Sequence, residues 1–350
     1  MDKVIKRDSN FELLRIVSML FIILHHLMYH GGYRPSQIFN FNSFILTLLE
    51  SGGKLGVVLF VMITGYYKIK SKDSKFIKLI ELELQVLFYS IGIFIVFMLF
   101  SNRGFTLKEI PKIFLPNISK VYWFFSSYFI LFLFIPFLNR LVDNISKREY
   151  IKLLVIGFIF LILIPSVVIY NRYINEGIYL FYYYLLGGYI RLYADDIKSN
   201  ICYLLGFIIF YLFIVIITMF MGKLSYSNND LLSYVDVYSK LGSVLILGAS
   251  ICLFIFFKGL KLGCNKIINV IASTTFGVYL FHEHIFMKEL LWRNIFSLNK
   301  VLNSNNIFIA SISIAILIYI FGSFIDLIRQ IIFKYFKKII IKIKLKKSFN

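Results

Sequence analysis

Arg15 and His26 sit eleven residues apart in Arg15-Ile-Val-Ser-Met-Leu-Phe-Ile-Ile-Leu-His25-His26, where the rest of the run is almost entirely apolar. On a helix, eleven steps of about 100° come within about 20° of three full turns, so both side chains share one face, roughly 16 Å apart along the axis. His25 points about 80° away from Arg15, and His30 returns to within about 60° but lies past the end of the apolar run. An ionisable group inside a membrane span costs roughly 2.5–3.5 kcal/mol or more, so such a pair marks a functional face. Imidazole suits proton transfer near neutral pH, and guanidinium suits phosphate or carboxylate. The bland readings are that Arg15 snorkels to the interface and that the histidine only packs.

A second constellation closes the segment Phe276-Gly-Val-Tyr279-Leu-Phe-His282-Glu283-His284. Tyr279 shares a helix face with His282 and Glu283 by three- and four-residue spacing, and a carboxylate beside imidazoles suits proton chemistry or the orientation of another histidine. His282 and His284 point about 200° apart on a helix and make a poor metal pair, so no metal is expected. Earlier in the chain, Gly52, Gly56, Phe60 and Thr64 recur every four residues, a stripe that permits close helix approach or substrate contact. The run Lys70-Ser-Lys-Asp-Ser-Lys75-Phe-Ile-Lys78 reads as a solvated basic loop or a phosphate site. No phosphate-cradling glycine loop, Gly-x-Ser-x-Gly elbow or Cys-x-x-Cys appears, and Cys202, Cys252 and Cys264 lack metal-ligand spacing.

The elements that must hold these groups are membrane helices. Hydrophobic residues make up 59% of the chain against 16% charged, spread over its whole length, where a soluble domain carries about a quarter charged. Apolar stretches long enough to cross about 30 Å of hydrocarbon fall at Leu13–Tyr29, Leu55–Lys70, Leu79–Phe100, Tyr122–Leu141, Leu153–Tyr170, Tyr179–Tyr193, Ile201–Met221, Leu241–Phe257, Ile267–Trp292 and Ile307–Phe333. The second and sixth are short and are expected to begin earlier, in Phe44–Leu49 and Ile174–Ile178. The sequence therefore predicts an all-α bundle of about ten spans, one domain over residues 1–350 with a basic tail at 334–350. The first span carries Arg15 and no small-residue cleavage site, so it is expected to remain uncleaved.

Of the 38 Lys and Arg residues, 25 fall on the side that holds the N-terminus, the Lys68–Lys78 loop and the tail, and 12 on the other. That asymmetry places both termini in the cytoplasm. It also explains the +20 net charge without nucleic acid, which is not expected as a partner; membrane lipid is.

At these residues the chain resembles the membrane-bound acyltransferase 3 family, in its branch of bacterial sugar and polysaccharide O-acetyltransferases. Phe11-Glu-Leu-Leu-Arg15 with His26 resembles that family's arginine–histidine signature, and Leu59-Phe-Val-Met-Ile-Thr64-Gly-Tyr66 resembles its second, where serine is common in place of Thr64. Tyr122-Trp123-Phe124 with Pro136-Phe-Leu-Asn139 resembles its fourth-span pattern, and Gly277-Val-Tyr279-Leu-Phe-His282-Glu283 its late one. The resemblance spans nearly the entire chain. It implies an integral enzyme of a bacterial inner membrane, with acyl-coenzyme A (commonly acetyl) as a co-substrate reached from the cytoplasm. No tightly bound cofactor is implied, and the acceptor is a carbohydrate hydroxyl. On that reading His26 is the catalytic base and Glu283 orients it. Arg15, Lys75 and Lys78 hold the donor, although the family often has arginines where these lysines stand. Thr64, Tyr279, His282 and Trp123 support the acceptor or the site. Buried Arg, His and Glu suit a transporter or a flippase for lipid-linked oligosaccharide too, but the chain lacks a matched pair of Gly/Pro-broken spans in its two halves.

The charge asymmetry is testable by single-cysteine labelling. Cysteines at positions 72 and 348 are expected to react with an impermeant reagent only after cells are opened; labelling in intact cells would invert the topology.

Overall fold

The computed structural model describes residues 8–35, 40–71, 76–101, 104, 106–168, 175–198, 200–304 and 306–348. The protein is 82% helical with no strand among the described residues. Its helices are α1 (Ser9–His30), α2 (Phe41–Glu50), α3 (Gly53–Lys68), α4 (Phe76–Phe100), α5 (Ile110–Phe114), α6 (Trp123–Asp143), α7 (Lys147–Gly157) and α8 (Ile164–Val168). They continue as α9 (Glu176–Tyr193), α10 (Ile201–Ser227), α11 (Val244–Lys258), α12 (Lys266–Ser273), α13 (Thr275–His282), α14 (Ile285–Glu289), α15 (Leu298–Leu302) and α16 (Ile307–Ser348).

Eight helical stretches among the described residues are long and apolar enough to cross a membrane. Their outer faces are apolar: α10 exposes Ile209, Phe213, Ile216 and Phe220, and α16 exposes Leu317, Ile320 and Phe321. A multi-pass membrane protein follows, because such a surface is stable against lipid and not against water. Two expected spans fall outside the eight. One is α9, of 18 residues, which packs most extensively on α3.

The other, Ile267–Trp292, differs from a continuous helix. It breaks at Thr274, whose hydroxyl donates to Ile271 O at 2.7 Å, and again at Glu283–His284. There Glu283 ends α13, while His284 caps α14 by accepting from the Phe286 amide. A π-helical turn, Leu290–Ile295, follows. The second span does begin earlier than Leu55, as α2 and α3 with a break at Ser51–Gly52. The sixth starts at Glu176.

α1 occupies the centre, against α3, α2, α12, α16 and α11. Glycines set these approaches. A Cβ on Gly56 would meet the Ser18 carbonyl of α1, and one on Gly65 the Tyr184 carbonyl of α9. The predicted small-residue stripe is thus a packing seam towards α1 at Gly56, as close backbone approach requires. Polar clasps fix the ends. Asn139 donates to the carbonyls of Lys68 (2.8 Å) and Ser71 (2.9 Å) at the end of α3, and accepts from the Tyr184 hydroxyl of α9 at 2.6 Å. Asp326 of α16 is fully buried, where a lone carboxylate would be costly. It accepts from Arg329 Nε (2.7 Å), Tyr89 (3.0 Å), Gln85 (3.1 Å) and Gln330 (2.8 Å), which ties α4 to α16 behind Gly277 of α13.

Gly65→Leu is expected to cost about 1–3 kcal/mol by overpacking the α3–α9 seam. Thermal melts in detergent check this against Gly92→Ala, where the added Cβ meets nothing within 4 Å. Equal midpoints for the two variants would contradict the seam.

Candidate active site

The break after α13 places one carboxylate against the end of α1. Glu283, 2% exposed, accepts from His30 Nε2 at 2.9 Å on Oε1, the oxygen that also lies 3.2 Å from His26 Nδ1. Its other oxygen, Oε2, receives the Lys288 ammonium at 2.7 Å. His26, itself 8% exposed, has Nδ1 a further 3.1 Å from His282 Nε2.

The network assigns the tautomers. Val278 O can only accept, so His282 carries its proton on Nδ1, 2.6 Å away, and its Nε2 is a lone pair. His26 must then present Nδ1–H to that lone pair and to Glu283. The polar contacts of His26 are made through Nδ1, and the remaining nitrogen, Nε2, keeps its lone pair. That is the arrangement of a base whose ring is held by one nitrogen and whose other nitrogen is free to take a proton.

Two cavities lie near this ring, and the ring lines the first. One, of about 380 Å³, is lined by His26, His30, Glu283, Lys288, Glu50 and Trp123, among others. The second, of about 310 Å³, includes Arg15, Thr64, Tyr128, Phe124 and Tyr279 in its wall. A narrow space of about 40 Å³ lies between, shared by His26, Ile22, Trp123, Phe124 and Tyr279. Arg15 and His26 therefore line neighbouring cavities, one residue in each. Arg15 Nη1 also donates to Glu12 Oε1 at 3.1 Å, so one of its three guanidinium nitrogens is already engaged.

The other expected residues fall as follows. Trp123 stands in the His26 cavity with Lys54 Nζ 3.9 Å above its ring, and Lys54 reaches on to Glu176 at 2.8 Å. Thr64 lies in the Arg15 cavity, bonded to Phe60 O and to the Tyr128 hydroxyl. Lys78 is exposed on α4 and lines neither cavity, and Lys75 lies outside the described residues. Tyr279 and His282 stack edge to face at 6.1 Å on the expected common side.

His30, set aside in the sequence as lying beyond the span, is a correction. α1 continues through it, and four-residue spacing puts it on the His26 face, a signal the sequence did contain. Lys288 carried no such signal, because its approach depends on the chain break at His284. His25 differs: its Nδ1 donates to Glu50 O at 2.7 Å, joining α1 to the end of α2. His284 faces away, towards Ser90 O.

His26, His30 and Glu283 bring one ligand atom each within 4.8 Å of one another, so the trio that could hold a divalent ion is not the His282–His284 pair. The Lys288 ammonium on the carboxylate offsets the charge that would draw such an ion, and the hydrogen bonds account for the spacing.

A family model described as an acyltransferase domain matches residues 8–325. No curated protein and no solved structure matches the chain.

Truncating Glu283 would leave His30, His26 and Lys288 facing a buried void. Glu283→Ala is expected to lower stability by about 3 kcal/mol or more, and Glu283→Gln by less because it still accepts from His30. Detergent melts matching wild type for Glu283→Ala would show that the carboxylate does not hold the site.

Proposed function

The chain belongs to the acyltransferase 3 family, and from that premise we propose that it moves an acyl group, acetyl in the first instance, from acyl-coenzyme A to a hydroxyl of a cell-surface or lipid-linked sugar. The observation that carries the reading is the Nε2 lone pair of His26 beside two neighbouring cavities, with Nδ1 committed to Glu283 and His282.

A sugar hydroxyl is a weak nucleophile near neutral pH and needs a base as it attacks. Its oxygen forms a bond to the thioester carbonyl carbon while its proton passes to His26 Nε2. The carbon–sulfur bond then breaks, and the sulfur leaves with the proton that His26 returns. The imidazolium formed in between has its second N–H on the Glu283 carboxylate, and Lys288 and His30 hold that carboxylate still. His282 and Glu283 act on the ring as positioning groups.

Arg15 supplies the cation of the second cavity, facing phosphate or the pantetheine amides of a donor entering from the cytoplasm. Trp123 and the Lys54–Glu176 pair supply the amphipathic wall that a sugar ring stacks on. The enzyme sits in the inner membrane of a bacterium, with ten spans and both termini in the cytoplasm. A transporter would use the same buried charges, yet an imidazole nitrogen left to take a proton beside two neighbouring cavities suits group transfer better than passage.

Membranes from cells expressing each variant at matched levels, given labelled acetyl-coenzyme A, test this. His26→Ala is expected to lose transfer by about 10²–10⁴-fold. His25→Ala, whose ring serves the Glu50 carbonyl, is expected to lose far less, and Arg15→Gln to raise the donor KM several-fold. Wild-type transfer in His26→Ala would move the chemistry elsewhere.

A further inference from the structure

Tyr279 lines the Arg15 cavity and the narrow space beside His26. It is 3% exposed, and its hydroxyl has no hydrogen-bond partner. Its neighbours do not share that condition. The Tyr122 hydroxyl donates to Leu280 O at 3.2 Å, and the Tyr128 hydroxyl meets Thr64 at 3.3 Å. A buried, unpartnered hydroxyl is costly and asks for a role.

The hydroxyl lies beside the backbone amides of Phe124 and Phe125. These belong to the first turn of α6, a helix of 21 residues with no side-chain cap. The first amide of this helix to find a carbonyl is that of Ser126, bonded to Tyr122 O at 3.0 Å. The amides of the preceding turn therefore have no acceptor within the helix, and they stand at its positive end. Phe124 lines the Arg15 cavity and the narrow space beside His26, as does Tyr279. The amides face the Tyr279 oxygen, which leaves the hydroxyl's own proton without an acceptor at the edge of the Arg15 cavity and of the narrow space beside His26.

We infer that the Tyr279 hydroxyl is the oxyanion donor of the reaction. The inference rests on the acyl-transfer reading and adds to it a catalytic group on the reacting oxygen. As the sugar oxygen bonds the carbonyl carbon and its proton goes to His26 Nε2, the carbonyl π pair moves onto the oxygen. Tyr279 O–H donates to that oxyanion. The pair then re-forms the carbonyl, the carbon–sulfur bond breaks, and coenzyme A leaves as its thiol with the proton from His26. Donors fixed before the reaction stabilise developing charge without reorganising, which is why such sites act on turnover more than on binding. The start of α6 also supplies Trp123 to the cavity lined by His26.

Tyr279→Phe removes the hydroxyl and keeps the ring. Membranes from cells expressing each variant at matched levels are used, and labelled acetyl-coenzyme A is the probe. The expected result is a fall in kcat of about 10²-fold, with the KM for acetyl-coenzyme A within about twofold of wild type. A wild-type kcat, or a raised KM at unchanged kcat, would overturn the inference. If Tyr279→Phe loses its monodisperse peak in detergent, 3,5-difluorotyrosine at position 279 replaces it. Its more acidic hydroxyl is expected to change kcat severalfold at constant KM, and an unchanged kcat would likewise overturn the assignment. Wild-type membranes that transfer no acetyl group would overturn the function and this inference together. Wild-type transfer with full Tyr279→Phe turnover would overturn the inference alone.

Discussion

The carboxylate of Glu283 is the interaction on which the site depends. It is buried, and an uncompensated charge there would be prohibitive, so the fold must bring donors to it. It receives His30 on one oxygen and Lys288 on the other, with His26 beside the first. The donors come from the end of α1 and from α14, two elements far apart in sequence that the carboxylate fastens together. The break between α13 and α14 is what makes this possible. A continuous helix would carry Lys288 about 500° on from Glu283, or some 140° round the axis, and point it away. The irregular backbone is tolerated because it lines a cavity within protein and not lipid.

From that clasp the rest of the arrangement follows by restriction. His282 can give His26 only a lone pair, since its own proton is held by Val278 O. His26 can therefore turn only Nε2 to the cavities. Close approach of α3 to α1 at Gly56, and of α9 to α3 at Gly65 and Gly187, fixes the α1 face on which Arg15 and His26 stand. Buried tyrosines bonded to carbonyls, such as Tyr183 to Leu241 O at 2.6 Å, stiffen the frame round it. In such a core, each polar contact is kept because breaking it strands a buried group.

Much of this was legible in the residues. The eleven-residue spacing of Arg15 and His26 survives as one helix face because it depends only on helical period. The helical, membrane-spanning class survives for the same reason, since hydropathy measures a cost the bilayer imposes on every residue. The late Tyr279-x-x-His282-Glu283 cluster also falls on one side. What was not legible came from places where the chain departs from a period. Ile267–Trp292 reads as one apolar helix, yet its polar residues Thr274, Glu283 and His284 cap short helices instead. Lys288 could not be placed without that break. Lys78 follows the other way: a basic run near an inner interface suggests phosphate, but its side chain points outward from α4. Asp326 sat unnoticed in an apolar span because its partners, Gln85 and Tyr89, are contributed by a helix more than two hundred residues earlier.

The claim that Glu283 works through His26, and not as an independent acid or substrate ligand, has a direct measurement. Turnover of acetyl-coenzyme A is compared among wild type, His26→Ala, Glu283→Gln and the double variant at matched membrane levels, with detergent melts confirming that each is folded. Residues acting as one unit lose activity non-additively. The expected result is that the double variant is no slower than His26→Ala alone, within about threefold, while Glu283→Gln by itself is well below wild type. Losses that multiply in the double variant would contradict the coupling and give Glu283 a separate role.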